Sequence, residues 1–209
     1  MIGIELLAFK CVDGAELHEY PPVRKAQKSV TIGGETREGL YVRLRSKNMR
    51  RYDRKLIDLK KPLIEEFLCC QEPGDFVNFA SEYGLPGVTE ETKLADLIKS
   101  RDTLRRLLDL HTAGKTSEAV KLYNKIAKPV TPFLAEWVDH PVMAFHPETP
   151  YGFMTMEAAL AVANATVLLT CNHCTRPFLA GALTSKRTNA YYCSNKCRVA
   201  AQRAAEARG

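Results

Sequence analysis

The chain has 209 residues, of which 45% are hydrophobic and 26% charged, and its formal net charge is +6. That balance can build a full core with a small appendage. No stretch supplies the ~20 unbroken apolar residues that a spanning helix needs, and MIGIELLAFK has neither a basic leader nor a small-residue cleavage site, so a cytoplasmic protein without membrane contact is expected.

Residues 1–40 read as irregular β structure: IGIELLAF as a strand, EYPP as a breaker, SVTIGGET as a strand and turn, then GLYVRLR. Residues 41–61 carry nine Lys or Arg against Asp53 and Asp58, and Val42 and Leu44 alternate with Arg43 and Arg45 as in a strand with one wet face. That basic run is a solvated face or a surface for anions. The pattern then turns helical. DRKLIDLKKPLIEEFLCC, residues 53–70, is amphipathic but interrupted by Pro62, with Cys69 and Cys70 as small buried hydrophobes. DFVNFASEYG follows as a helix, with Asp75 at its N-cap and Gly84 as its stop.

The strongest helix is expected after Thr89. Glu90 and Glu91 fall in its first turn, Leu94, Leu97, Ile98, Leu104, Leu107 and Leu108 recur at spacings of three and four, and Gly114 ends it. SEAVKLYNKIAK forms a shorter helix that stops at Pro129, and TPFLAEWVDHPVMAF places Trp137 in the core. TMEAALAVANA, capped by Thr155, is the last helix before TVLLTC. His18, His111, His140 and His146 are scattered, and neither a Gly-rich phosphate loop nor a Gly-x-Ser-x-Gly elbow occurs, so no catalytic activity is expected. Residues 1–165 therefore read as one α+β domain, mainly helical after a small β-rich start, and residues 166–209 as a separate module.

Four of the seven cysteines lie in that module as two pairs, Cys171 with Cys174 and Cys193 with Cys197, separated by residues 175–192. In a chain without export a disulfide framework is not expected, and two such hooks present four thiolates to one zinc ion. A thioredoxin-like redox pair and an iron–sulfur cluster are the competing readings. FLAGAL, the turn TSKRTN and AYYC read as a β-hairpin, and a helix follows with Cys193 just before it and Cys197 in its first turn: knuckle, hairpin, helix, a treble-clef order with one structural Zn2+. His173 is surplus to the set.

The charge is segregated. From Cys171 onward there are seven basic residues, Arg176, Lys186, Arg187, Lys196, Arg198, Arg203 and Arg208, against Glu206, so 7 − 1 = +6, and the preceding 170 residues sum to zero. At 100° per residue, Ala200, Ala204 and Ala207 form a stripe able to dock on the hairpin, with Arg198 and Gln202 opposite and Arg203 and Arg208 on the flanks. An outward Arg and Gln suit base edges in a DNA major groove, and Lys186 and Arg187 at a hairpin tip suit phosphates. RNA is an alternative through stacking on Tyr191 and Tyr192, and so is a module that docks or stabilises protein without touching nucleic acid.

CNHCTRPFLAG, KRTNAYYCSNKC and the Arg-bearing tail resemble the zinc finger of the bacterial CGNR type, found at the C-terminus of stress-induced transcription regulators. DFVNFASEYGLPG and the helices of residues 94–126 are similar, more faintly, to the helical ABATE-like domain that precedes such fingers. The family's Gly-Asn-Arg after the last cysteine is here Arg198, Val199 and Ala200. The resemblance implies zinc on the four cysteines, transcription regulation through DNA, and a body that dimerises or senses a small-molecule effector.

Overall fold

The computed structural model describes residues 2–207 apart from 12, 21–30, 33–34, 37–38, 46–48, 57–58, 88–90, 128–130 and 138–139. Of residues 2–11, 20, 31–32, 35–36, 49–56, 131–137, 140–144 and 146, it describes the backbone only. The chain is α+β. Its first half holds β1 (Ile2–Cys11), β2 (Ala15–Tyr20), β3 (Thr31–Ile32), β4 (Glu35–Thr36), β5 (Gly39–Leu44) and β6 (Met49–Leu56), followed by α1 (Leu63–Leu68), α2 (Pro73–Tyr83), β7 (Glu91–Lys93) and α3 (Leu94–Thr112). Then come α4 (Thr116–Ile126), β8 (Thr131–Trp137), β9 (His140–His146), α5 (Pro150–Ala163), β10 (Val167–Thr170), β11 (Pro177–Ala180) and α6 (Asn195–Glu206).

β1 is the spine of a four-stranded sheet in the order β6-β1-β9-β8, antiparallel to β6 from Ile4 opposite Leu56 to Cys11 opposite Met49, and parallel to β9. The order β2-β5-β7 makes a second, antiparallel sheet. On β5 the expected alternation is present: Val42 is fully buried, while Arg43 donates to Glu16 of β2 at 2.9 Å on the wet face. Residues 53–56, expected in a helix, belong to β6, because pairing with β1 fixes them more strongly than their amphipathic spacing does.

The helices start where proline allows. α1 begins only after Pro62, and α2 opens with Pro73 at its first position, so its N-cap is Glu72. Asp75 is three residues inside, its carboxylate accepting from the Gln71 and Glu72 amides at 2.8 and 3.0 Å, and these bonds hold its pKa below the usual range. α3 starts at Leu94 rather than after Thr89, since Glu91 pairs with Arg43 in the β5–β7 ladder. Its Leu94, Leu97, Leu104, Leu107 and Leu108 are buried as their spacing requires. α5 starts at Pro150, capped by Thr149, whose hydroxyl accepts from Gly152 N–H at 3.0 Å. Thr155, expected as that cap, is buried one turn inside and donates to the Tyr151 carbonyl.

α5 packs against α1, α3 and α4, and its Phe153, Met154, Ala158 and Ala161 are fully buried. Amid them lies Glu157, also fully buried, whose two carboxylate oxygens accept from Leu63 N–H at 2.8 Å and Ile64 N–H at 2.7 Å. These are orphan donors of the first turn of α1, where Pro62 offers no capping side chain. Cys70 is buried and Cys69 half-buried at the end of α1, and burial pushes their thiols up to about 12 and about 11. The side chain of Trp137 lies outside the described residues. Among the described residues no helix is long and apolar enough to cross a membrane.

Candidate metal centre

α5 ends at Ala163, and the chain turns into β10 through Thr166, whose N–H reaches back to the Ala161 carbonyl at 2.9 Å. β10 pairs antiparallel with β11, from Val167 opposite Ala180 to Thr170 opposite Pro177. The hairpin therefore precedes its expected position: Phe178, Leu179 and Ala180 pair with the upstream VLLT, and residues 190–193 form no strand. Burial explains the choice. All four residues of β11 are buried, a two-sided environment that downstream AYYC, with Tyr191 67% exposed, does not offer.

Hydrogen bonds from backbone amides hold this hairpin and the chain after it on the body. Leu168 N–H donates to Thr112 Oγ1 at 2.9 Å, Leu179 N–H to Glu65 Oε1 at 2.6 Å, and Leu59 N–H to the Leu183 carbonyl at 3.0 Å. Leu168 and Leu179 join the main core, while Cys171, Phe178 and Ala180 form a second buried cluster against which Cys174, Cys193 and Cys197 pack. At Gly181 the backbone passes so close to the α5–β10 turn that a Cβ would stand 2.8 Å from Thr166 Cα, at φ +148°.

The loop between β10 and β11 is the first knuckle. Thr175 N–H closes onto the Cys171 carbonyl at 2.9 Å and Cys171 N–H onto the Arg176 carbonyl at 3.0 Å, with Thr175 left-handed at φ +59°. The second hook is a helix start: Ser194 caps α6, its Oγ accepting from Cys197 N–H at 3.2 Å, so Cys193 lies just before the cap and Cys197 in the first turn. Asn172 N–H bonds to the Tyr191 carbonyl at 2.9 Å and ties the two hooks together.

The four sulfurs converge. All lie within 4.8 Å of one another, with Cys174 Sγ 3.6 Å and Cys197 Sγ 3.5 Å from Cys193 Sγ. A disulfide requires about 2.05 Å, and these cysteines are free. A tetrahedron of ~2.3 Å metal–sulfur bonds has sulfur–sulfur edges of about 3.8 Å, so the set fits one metal ion. His173 is exposed and outside the cluster.

The sulfurs are unequal. Burial opposes ionisation of Cys171, but the backbone amides of Cys174, Cys193 and His173 point at its sulfur and outweigh it, bringing the thiol down to about 6. Burial first, and then hydrogen bonding with the sulfurs of Cys197, Cys174 and Cys171, pushes Cys193 up to about 12. The amides thus favour the thiolate at Cys171, and a cation at the centre would displace the protons from the thiols.

The basic residues divide by position. Arg176, Arg187, Lys196, Arg198 and Arg203 are exposed, as is Gln202. Arg198 donates twice to Asn195 Oδ1, at 3.1 and 2.7 Å, and Gln202 donates to Glu206 at 3.1 Å. Lys186 is not at a free tip. Its side chain is 17% exposed, its Nζ lies 3.9 Å from Glu65 Oε1 and 5.6 Å above the Phe178 ring, and it turns toward the body. Arg208 lies outside the described residues. The expected alanine stripe does not dock: α6 buries none of its residues, and Ala204 and Ala207 are exposed while Ala200 is half-buried. Methyl groups alone offer too little area to hold a helix that the centre grips only at its first turn.

Glu65 was not expected to matter. Burial raises its pKa, offset in part by the Leu179 N–H and by Lys186, and it joins α1 to Leu179 within β11 and to Lys186 in the loop after it. The only sequence signal is the first acid of LIEEFL, which its neighbour Glu66 makes ambiguous. No family model and no curated protein matches this sequence.

Proposed function

We propose that the four cysteines bind one structural zinc ion, and that this ion orders α6 as a nucleic-acid-binding element, with duplex DNA as the target and transcription regulation in the cytoplasm as the role. The supporting observation is the closed sulfur set at the start of a helix that has no fully buried residue and carries Lys196, Arg198 and Arg203 in the open. Four protein ligands leave no open position on zinc, so the ion builds structure and is assigned no reaction. The resemblance to CGNR-type fingers points the same way. Arg176 and Arg187 extend the cationic surface beside the centre, whereas Lys186 is left to the body.

Zinc-loaded full chain titrated with a mixed-sequence DNA duplex tests the reading. Binding should weaken linearly in log salt, and Arg198→Ala with Arg203→Ala should flatten that slope by up to about two, near 0.9 for each phosphate no longer neutralised. An unchanged slope means that these arginines do not touch the duplex. A second reading follows from Leu168 and Leu179 lying in the body's core: the module stabilises the body without touching nucleic acid. Absence of any salt-dependent duplex or single-strand binding by the zinc-loaded chain selects it.

A further inference from the structure

A cleft of about 800 Å³, with no cysteine in its lining, opens between α3, the end of α4 and the start of α5. Its volume falls within the range of small-molecule sites. The floor is apolar, with Leu97 2% exposed, and the cleft wall includes Ile126 and Pro147. Lys99 of α3 and Lys125 of α4 stand exposed on its rim, and neither ammonium has a carboxylate partner among the described residues. Glu148 is the one acid among the described lining residues, leaving one net positive charge.

Tyr151 supplies a neutral donor. It lines the cleft with no hydrogen-bond partner for its hydroxyl among the described residues, and burial raises its pKa so that the phenol stays protonated. The α5 start adds shape rather than charge, because Gly152 N–H is already taken by Thr149 and Tyr151 N–H by the Pro86 carbonyl.

We propose that this cleft binds a small amphipathic carboxylate, its apolar body against Leu97 and Ile126 and its anionic head between Lys99 and Lys125, with Tyr151 as donor. A hydrophobic wall with two cations at the rim complements such a molecule better than a neutral or cationic one. The site stands apart from the cysteine centre and does not depend on the nucleic-acid reading.

Calorimetric titration of the full chain with octanoate, and with octanamide as its neutral counterpart, is the test. Octanoate should saturate one site and bind about tenfold or more tighter than octanamide; equal affinities, or no saturable binding of octanoate, overturn the assignment. Lys99→Gln with Lys125→Gln should abolish that preference while leaving octanamide unchanged. Ser100→Trp, which fills the cleft, should remove both, and octanoate binding that survives it places the site elsewhere and overturns the proposal. Circular dichroism confirms that each variant is folded, and should either fail, the comparison of the two ligands on the parent chain decides alone.

Discussion

Cys171 and Cys174 hang from a hairpin whose Leu168 and Leu179 are part of the main core, whereas Cys193 and Cys197 flank the cap of a helix that buries none of its residues. The first hook is held by protein: Thr112, Glu65 and the Leu59 amide reach it or the chain beside it from the body. The second is held by a capping serine, the bond from Asn172 to Tyr191, the Cys193 amide on the Cys171 sulfur and the shared sulfur cluster. A helix of 12 residues is marginal in water on its own. The difference teaches that a metal site can be half preformed, with the ion's binding free energy spent on the unsupported half.

Chelation should expose that asymmetry most. Removing metal should strip α6 of its amide protection, on the order of 100-fold or more in exchange rate, while α3 and α5 keep theirs. Hydrogen exchange read by mass spectrometry over residues 193–207 checks it. Uniform loosening of the whole chain would mean that the hairpin is not independently anchored.

The next effect belongs to the anchored half. In Gly181→Ala the new methyl meets Thr166 Cα at 2.8 Å in a backbone conformation that side chains rarely adopt. Strain and overpacking together should cost about 3 kcal/mol, seen as a lower thermal midpoint of the whole chain. The smallest effect belongs to the other half: Ser194→Ala removes the α6 cap, about 1 kcal/mol, and should weaken metal binding severalfold with no change in that midpoint. If the two variants exchange these signatures, the division between halves is misplaced.

Local chemistry explains what was legible beforehand. α3 could be read because Leu94 to Leu108 repeat a helical spacing in a segment long enough for no partner to override it, and Gly114, at φ +77°, stops it. The cysteine hooks could be read because chelation demands spacing more than context. Residues 53–56 could not, since a strand in β6 depends on β1, some 50 residues away. The caps of α2 and α5, Glu72 and Thr149, lie three and six residues before Asp75 and Thr155, which are good caps in isolation; Pro73 and Pro150, which favour the first helical position, are the signals to follow. The alanine stripe failed for a different reason: periodicity names a face but not whether anything lies opposite it. Glu157 was legible in principle, as the lone charge in an otherwise apolar helix, and its purpose emerges only once α1 is set against it.

X-ray absorption at the zinc edge of the purified full chain tests the central claim most directly. One zinc per chain, surrounded by four sulfurs at about 2.3 Å and no lighter atom, is the expected result. Nitrogen or oxygen bound to the ion, sulfurs joined as disulfides, or a chain that takes up no zinc would contradict it.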